Sequence, residues 1–294
     1  MSFCKRLLCL LTAALLTVTL SPFAAAENSP DEDGEAEASD EYSYTLDGRT
    51  WDELVSDFLQ QYDPDGTHIS LAYYNTVTGE THYVNLEKYF LGASFYKLPL
   101  CMLYMDQLHN GERTEDSQIF GYRLGELIRG SIVDSNNEYA QLLLKAIRKN
   151  KGYRRGIAEY VGVDPDAMPS DSKYWSKTYF NAEQMLSCLQ TLYENPDRFQ
   201  LLMDYMLEAF PEEYFRYHEQ PVEVAHKYGY IKELGSTFVN DCGICYTEDP
   251  ILLVMFTKDV RSYSSALPEF CTLMIEYAQA SREQRLREND ASAP

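Results

Sequence analysis

Three groups of residues in this chain have the types and spacing that nucleophilic chemistry requires. The first is Leu91-Gly92-Ala93-Ser94-Phe95-Tyr96-Lys97-Leu98-Pro99-Leu100, in which Ser94 and Lys97 open the apolar run Leu100-Cys101-Met102-Leu103-Tyr104-Met105. In a helix that starts near Ser94, a three-residue step carries Lys97 about one turn on and onto the same face, within reach of the serine hydroxyl. A neutral lysine placed there can take the serine proton. A free lysine titrates near ~10.4 and a useful base near ~7 to 8, a difference worth about 4 kcal/mol. The partial positive charge of a helix N-terminus and burial in a dry cleft both push in that direction. Pro99 has no N–H to give the carbonyl one turn back, which predicts an irregular first turn.

Spacing alone does not single this pair out, because Ser2-x-x-Lys5 and Ser170-x-x-Lys173 repeat it. The last copy lies among Pro165, Asp166 and Pro169 with no apolar run behind it, and reads as a surface loop.

The second group is Asp134-Ser135-Asn136-Asn137-Glu138, between two helical stretches. Serine and asparagine cap a helix start and a glutamate suits the first turn, so a purely structural reading exists for it. The third is Val224-Ala225-His226-Lys227-Tyr228-Gly229-Tyr230, an edge strand whose glycine would let a substrate backbone come close. His226 adjoins Lys227 but faces the other side of its strand, so it is read as structural.

The elements that must hold these groups follow from periodicity. Arg49 to Tyr62 carries Trp51, Leu54, Val55, Phe58 and Leu59 at helical spacing. Two strands, His68 to Asn75 and Thr81 to Leu86, flank a turn at Thr76 to Glu80. The helix carrying Lys97 is apolar nearly all round and so is expected at the centre of the domain. From Gly121 to about Phe210 the pattern is helical throughout. Strand signals return at Val222 to Tyr230, Thr237 to Thr247 and Ile251 to Thr257, and a last helix runs from about Leu267 to Glu283. Strands at both ends around a helical middle predict one antiparallel sheet assembled from both chain ends, with an all-helical subdomain inserted.

Residues 1 to 26 carry Lys5 and Arg6, a leucine-rich core and Ala24-Ala25-Ala26, the pattern of a cleaved secretory signal. Residues 27 to 45 turn to Asp, Glu, Ser, Ala and Gly, an acidic linker that cannot bury a core. The domain proper is then 46 to 294, and no later segment is apolar enough to span a bilayer. The formal net charge of −21 and the lack of a basic patch argue against nucleic acid as a partner. Five cysteines remain after residue 26, an odd number that implies no full disulfide framework. Cys242 and Cys245 have a redox or zinc spacing, but on a strand a three-residue step points them to opposite faces. His218-Glu219 lacks the second histidine of the helical zinc motif, and no Gly-x-Ser-x-Gly is present.

Taken together and in this order, Ser-x-x-Lys, Ser-x-Asn and Lys-x-Gly resemble the penicillin-recognising serine enzymes. The surrounding stretches Leu124-Gly125-Glu126-Leu127 and Phe238-Val239-Asn240-Asp241-Cys242-Gly243-Ile244 look like class A β-lactamase-like serine hydrolases, over most of residues 46 to 285. The resemblance implies an α+β fold of three layers, α/β/α, in a secreted bacterial enzyme. It also implies a metal-free, cofactor-free monomer acting on a small amide, β-lactam or wall-peptide substrate through an acyl-enzyme. Carried over by motif, Ser94 is the nucleophile and Lys97 the general base. Ser135 relays a proton to the leaving nitrogen, Asn137 holds the substrate amide, and Lys227 supports Ser135, lowers the pKa of Lys97 and attracts a substrate carboxylate. The backbone amides of Ser94 and Tyr230 form the oxyanion hole beside Gly229. The alternatives are a wall-peptide D,D-peptidase or esterase, and a binding module in which the triad is vestigial.

Three departures stand out. Tyr228 occupies a position that in the family usually carries Thr or Ser, whose hydroxyl meets the substrate carboxylate, while Asn136 replaces the usual acid of the second motif. The family's Glu-x-x-Leu-Asn loop, whose glutamate activates the deacylating water, has no counterpart between Tyr160 and Asn181, where Asp164, Asp166 and Asp171 read as turn residues.

Overall fold

Thr50 starts the first helix. Its hydroxyl accepts from the Glu53 amide while the Glu53 carboxylate accepts from the Thr50 amide, a reciprocal cap worth about 1 kcal/mol. From that cap α1 (Trp51–Tyr62) buries Trp51, Leu54, Val55 and Phe58 on one face. The computed structural model describes residues 46, 48–147, 150–209, 213–217 and 220–292, so the expected signal segment and the whole of the expected linker lie outside the described residues. The described residues fall in one compact unit, 44–294.

After α1 come β1 (Ile69–Asn75), β2 (Thr81–Val84), the two-residue β3 (Phe90–Leu91) and α2 (Lys97–His109). A small hairpin, β4 (Gln118–Ile119) and β5 (Tyr122–Arg123), leads into α3 (Leu124–Ile132), α4 (Asn137–Ala146) and α5 (Asn150–Gly156). Then follow β6 (Tyr179–Phe180), α6 (Ala182–Glu194), α7 (Pro196–Glu208), β7 (Val224–Glu233), β8 (Ser236–Cys245), β9 (Ile251–Lys258) and α8 (Tyr263–Ser292). The main sheet has five strands in the order β2-β1-β9-β8-β7, all antiparallel, so both chain ends do contribute to one sheet.

Both faces of that sheet are covered. In β9, Leu252, Val254 and Phe256 join a core with α2, α3, α4, α6 and α7, while Ile251, Leu253 and Met255 join a second core with α1 and α8. Alternation along a strand and burial on both faces explain why this stretch reads as an unbroken apolar run. Cys242 and Cys245 divide between the two cores, as a strand requires. The helical middle is interrupted by the β4–β5 hairpin, by β6 and by the stretch between α5 and α6. Several boundaries differ from the sequence reading, three of them with a clear cause. β7 and β8 run into one tight hairpin through Leu234 and Gly235, both at positive φ, which lengthens β7 to Glu233. β2 ends at Val84, before Asn85 enters the left-handed region. The last helix continues through Pro268 from Tyr263 to Ser292.

Candidate active site

Ser94 is not on the α-helix itself. Residues Ala93–Tyr96 form a 3₁₀ turn and α2 begins at Lys97, with Pro99 in its first turn, so the irregular start that proline predicts lies under the serine. Ala93 sits at φ 48°, a left-handed conformation that costs a residue with a side chain about 1 to 3 kcal/mol. Several contacts hold the turn in place against that cost. β3 pairs with β6, Asn240 donates to the Leu91 carbonyl at 3.1 Å, and the Gly92 amide donates to Thr178 O at 2.6 Å. Asn240 also accepts from the Thr257 amide, so it ties the segment leading to Ser94 to the middle of the sheet.

Gly229 has a role that the sequence reading did not include. A Cβ there would stand 2.5 Å from Gly92 O and 2.9 Å from Ser94 N, so the missing side chain admits the protein's own Ser94 turn. It thereby brings the Ser94 amide against the free edge of the sheet. Tyr230 follows on that edge strand, half-buried, and Ser94 is itself partly exposed.

Lys97 is buried, and the 133–137 connection between α3 and α4 is brought down onto it. That approach depends on Gly130, where a Cβ would meet the Tyr139 ring at 2.6 Å. Asn136 caps α4, accepting from the Tyr139 amide at 3.0 Å, so the structural reading of this motif holds for that residue. Its neighbours face the lysine. Lys97 Nζ donates to Asn137 Oδ1 at 2.8 Å, to Ser135 Oγ at 3.1 Å and to the Ser135 carbonyl. Among the described residues no hydrogen bond joins Lys97 to Ser94, so the one-turn contact expected from spacing gives way to a three-cornered one. Ser135, like Ala93, is left-handed, at φ 48°.

Lys227 reaches the same hydroxyl from the other side, donating to Ser135 Oγ at 3.0 Å and to the Tyr228 carbonyl at 2.9 Å. Burial first, then the Lys227 charge, push Lys97 down to about 6. Burial also lowers Lys227, to about 8, with Asp241 opposing the fall. The two shifts make Lys97 the amine that gives up its proton more readily and Lys227 the one that keeps it. A neutral Lys97 donates two of its three hydrogen bonds and turns a lone pair to the third position. Lys227 is 0% exposed, so the expected attraction of a substrate carboxylate cannot be a direct contact.

His226 is buried with Nδ1 2.7 Å from Asp241 Oδ2 and Nε2 2.9 Å from the Ala209 carbonyl, a packing role consistent with its face of β7. Asp164, Asp166 and Asp171 are exposed; Asp166 pairs with Arg155 at 2.8 Å and Asp164 accepts from the Asp166 amide. Two residues that sequence reasoning did not single out for the site are Asn240 and Tyr214. Asn240 carries a signal, a buried amide in an otherwise apolar strand. Tyr214 carries none, since it reaches the site only through the fold. No group of histidine, cysteine and acidic side chains suited to a metal occurs among the described residues.

Together the sheet, the helical insert and the serine–lysine cluster define a fold in which a serine is presented at a sheet edge beside two buried amines. The chain belongs to the beta-lactamase enzyme family, whose model matches residues 52–270. Its fold is that of the class A β-lactamases. An ancestral (GNCA) class A β-lactamase is similar at 19% identity and a TM-score of 0.64, over 76% of this chain and 98% of that one. The TLA-1 extended spectrum β-lactamase is similar at 16% identity and a TM-score of 0.66, over 77% and 98%. At these identities the likeness shows the fold alone. No curated protein matches the sequence.

Proposed function

We propose that this protein is an exported serine hydrolase that acts through an acyl-enzyme at Ser94 on small amide or ester substrates. The observation that carries this reading is the buried Lys97, held at about 6 and bonded to Ser135 and Asn137 next to a partly exposed Ser94. In the proposed first step Ser94 Oγ bonds to the substrate carbonyl carbon as its proton passes to Lys97 Nζ. The Ser94 and Tyr230 amides bind the oxyanion, a donor worth ~3 to 4 kcal/mol in such sites. The bond from the carbonyl carbon to the leaving nitrogen or oxygen then breaks as Ser135 passes a proton to it, replenished from Lys97 or Lys227. Water finally releases the acyl group and restores Ser94.

The outward-turned acids of the 161–178 segment favour slow release, because they leave water activation to the amines themselves. This is why an acylated, slowly clearing enzyme of the peptidase or esterase kind is favoured over an efficient β-lactamase. The test is intact-mass spectrometry after a serine-reactive fluorophosphonate. One adduct that maps to Ser94 and vanishes in Ser94→Ala is expected. A wild-type protein that takes no adduct would leave a binding module as the better description. Penicillin incubated in parallel should be consumed slowly or not at all.

A further inference from the structure

Tyr228 is the residue of the site whose type least suits its neighbours, and three contacts explain what it does there. Its ring lies over the Lys227 ammonium, 4.1 Å from Nζ to centroid. Its carbonyl accepts from the same ammonium at 2.9 Å. Its phenol stands beside Ser135, whose hydroxyl accepts from both lysines. The donors that could greet an anion at this end of the cleft are thus the Ser135 hydroxyl and the Lys227 ammonium, and both are engaged by atoms of Tyr228 itself.

The ring is held from behind. Tyr214 stacks on it with centroids 4.3 Å apart and planes 11° apart. Tyr214 is fixed in turn because the next amide, Phe215 N, donates to buried Asp241 at 3.0 Å and the Phe215 carbonyl accepts from Gln220 at 2.8 Å. Tyr214 is left-handed, at φ 59°, so the segment is bent to deliver its ring to Tyr228. Glu213, buried Asp241 and Asp134 all act on the phenol as negative charges.

We infer that Tyr228, braced by Tyr214, closes the anion subsite of the cleft, so that the substrate of Ser94 is uncharged where it meets this strand. The inference deepens the hydrolase reading and rests on it. A carboxylate placed here would lose its water, find its two donors already satisfied by Tyr228, and face two acids. An amide or ester loses far less on entering the same site. The tyrosine works as a filter: it supplies internally what a charged substrate would otherwise supply.

The test uses the full chain and two acyl thioesters that are identical except that the leaving thiol ends in a carboxylate in one and in its primary amide in the other. Fluorophosphonate labelling of Ser94 is measured first on each protein. Wild type is expected to favour the amide by tenfold or more in kcat/KM. Tyr228→Thr, which removes the ring from over the Lys227 amine and the phenol from beside Ser135 while the backbone carbonyl stays, is expected to move that ratio by at least tenfold toward the carboxylate. Tyr214→Ala, which only unbraces the ring, should move it the same way by a smaller factor and serves if the first variant folds poorly. A wild type that prefers the carboxylate, or a ratio unmoved in variants that still label at Ser94, overturns the inference while sparing the hydrolase reading. If Ser94 takes no label in wild type, both fall together.

Discussion

Ser94-x-x-Lys97 and Ser170-x-x-Lys173 have the same two residues at the same spacing, and the molecule treats them in opposite ways. The first spans a 3₁₀ turn and the start of a thirteen-residue helix that is buried on nearly every side. Lys97 is sealed within it, and its amine falls to about 6. The second ends in a 3₁₀ turn of three residues, Lys173–Trp175, whose cap is Ser172. There Ser170 and Lys173 are exposed, and Lys173 Nζ rests over the Tyr179 ring at 4.7 Å. The difference teaches that the chemistry lies in depth and company. A lysine in water keeps its proton, whereas one placed under a second cation in a dry interior gives it up.

The sharpest way to break this comparison is at the two serines. Ser94→Ala should abolish fluorophosphonate labelling outright, and Ser170→Ala should label at the wild-type rate, both read by intact mass. Next come the lysines. Lys97→Met should slow labelling by about 10²- to 10⁴-fold, the range of a lost general base. Lys173→Met should change neither labelling nor, beyond about 0.5 kcal/mol, stability, as expected of an exposed side chain. Equal effects at the two lysines would show that burial is not what separates the copies.

A smaller effect sharpens the reason. If Lys97 must be neutral to act, the labelling rate should rise about tenfold between pH 5 and pH 7, with a midpoint at about 6, where its amine titrates. The probe carries no ionising group, so the profile reports the enzyme. A rate that is flat over that range would remove Lys97 as the base.

Much of this arrangement was legible in the sequence, and the part that was not has a common cause. The order of strands, the buried helix and the three motifs all follow from local periodicity and residue type. A three-residue step also separated Cys242 from Cys245 correctly, because a strand alternates. What local reading could not supply is which backbone comes against which. Gly229 announced a close approach but not that Gly92 and Ser94 would be the visitors. Lys97 was expected on Ser94, yet the left-handed Ser135 and the gap at Gly130 deliver the 133–137 connection to it instead. Tyr214 lies fourteen residues before Tyr228 in the chain and meets it only because Asp241, on the neighbouring strand, holds the Phe215 amide. Such contacts are set by tertiary packing, which no spacing rule encodes.

The smallest expected effect tests the same burial through folding rather than chemistry. Lys97 titrates at about 6 in the folded chain, and an unfolded lysine titrates near ~10.4. Between those values the unfolded chain binds a proton that the folded chain does not, so stability rises with pH at about 1.4 kcal/mol per unit from this group, and the gain ends once pH passes the unfolded value. Below about 6 both states are protonated at this lysine and the full penalty is in force. Urea unfolding of wild type and Lys97→Met at pH 6.5 and 7.5 isolates the contribution, since the other titrating groups are common to both proteins. Wild type should gain about 1 kcal/mol more than the variant over that interval, while Lys173→Met should track wild type. If Lys97→Met keeps the wild-type slope, the amine is not held neutral by the fold, and the distinction between the two Ser-x-x-Lys copies would have to rest on geometry alone.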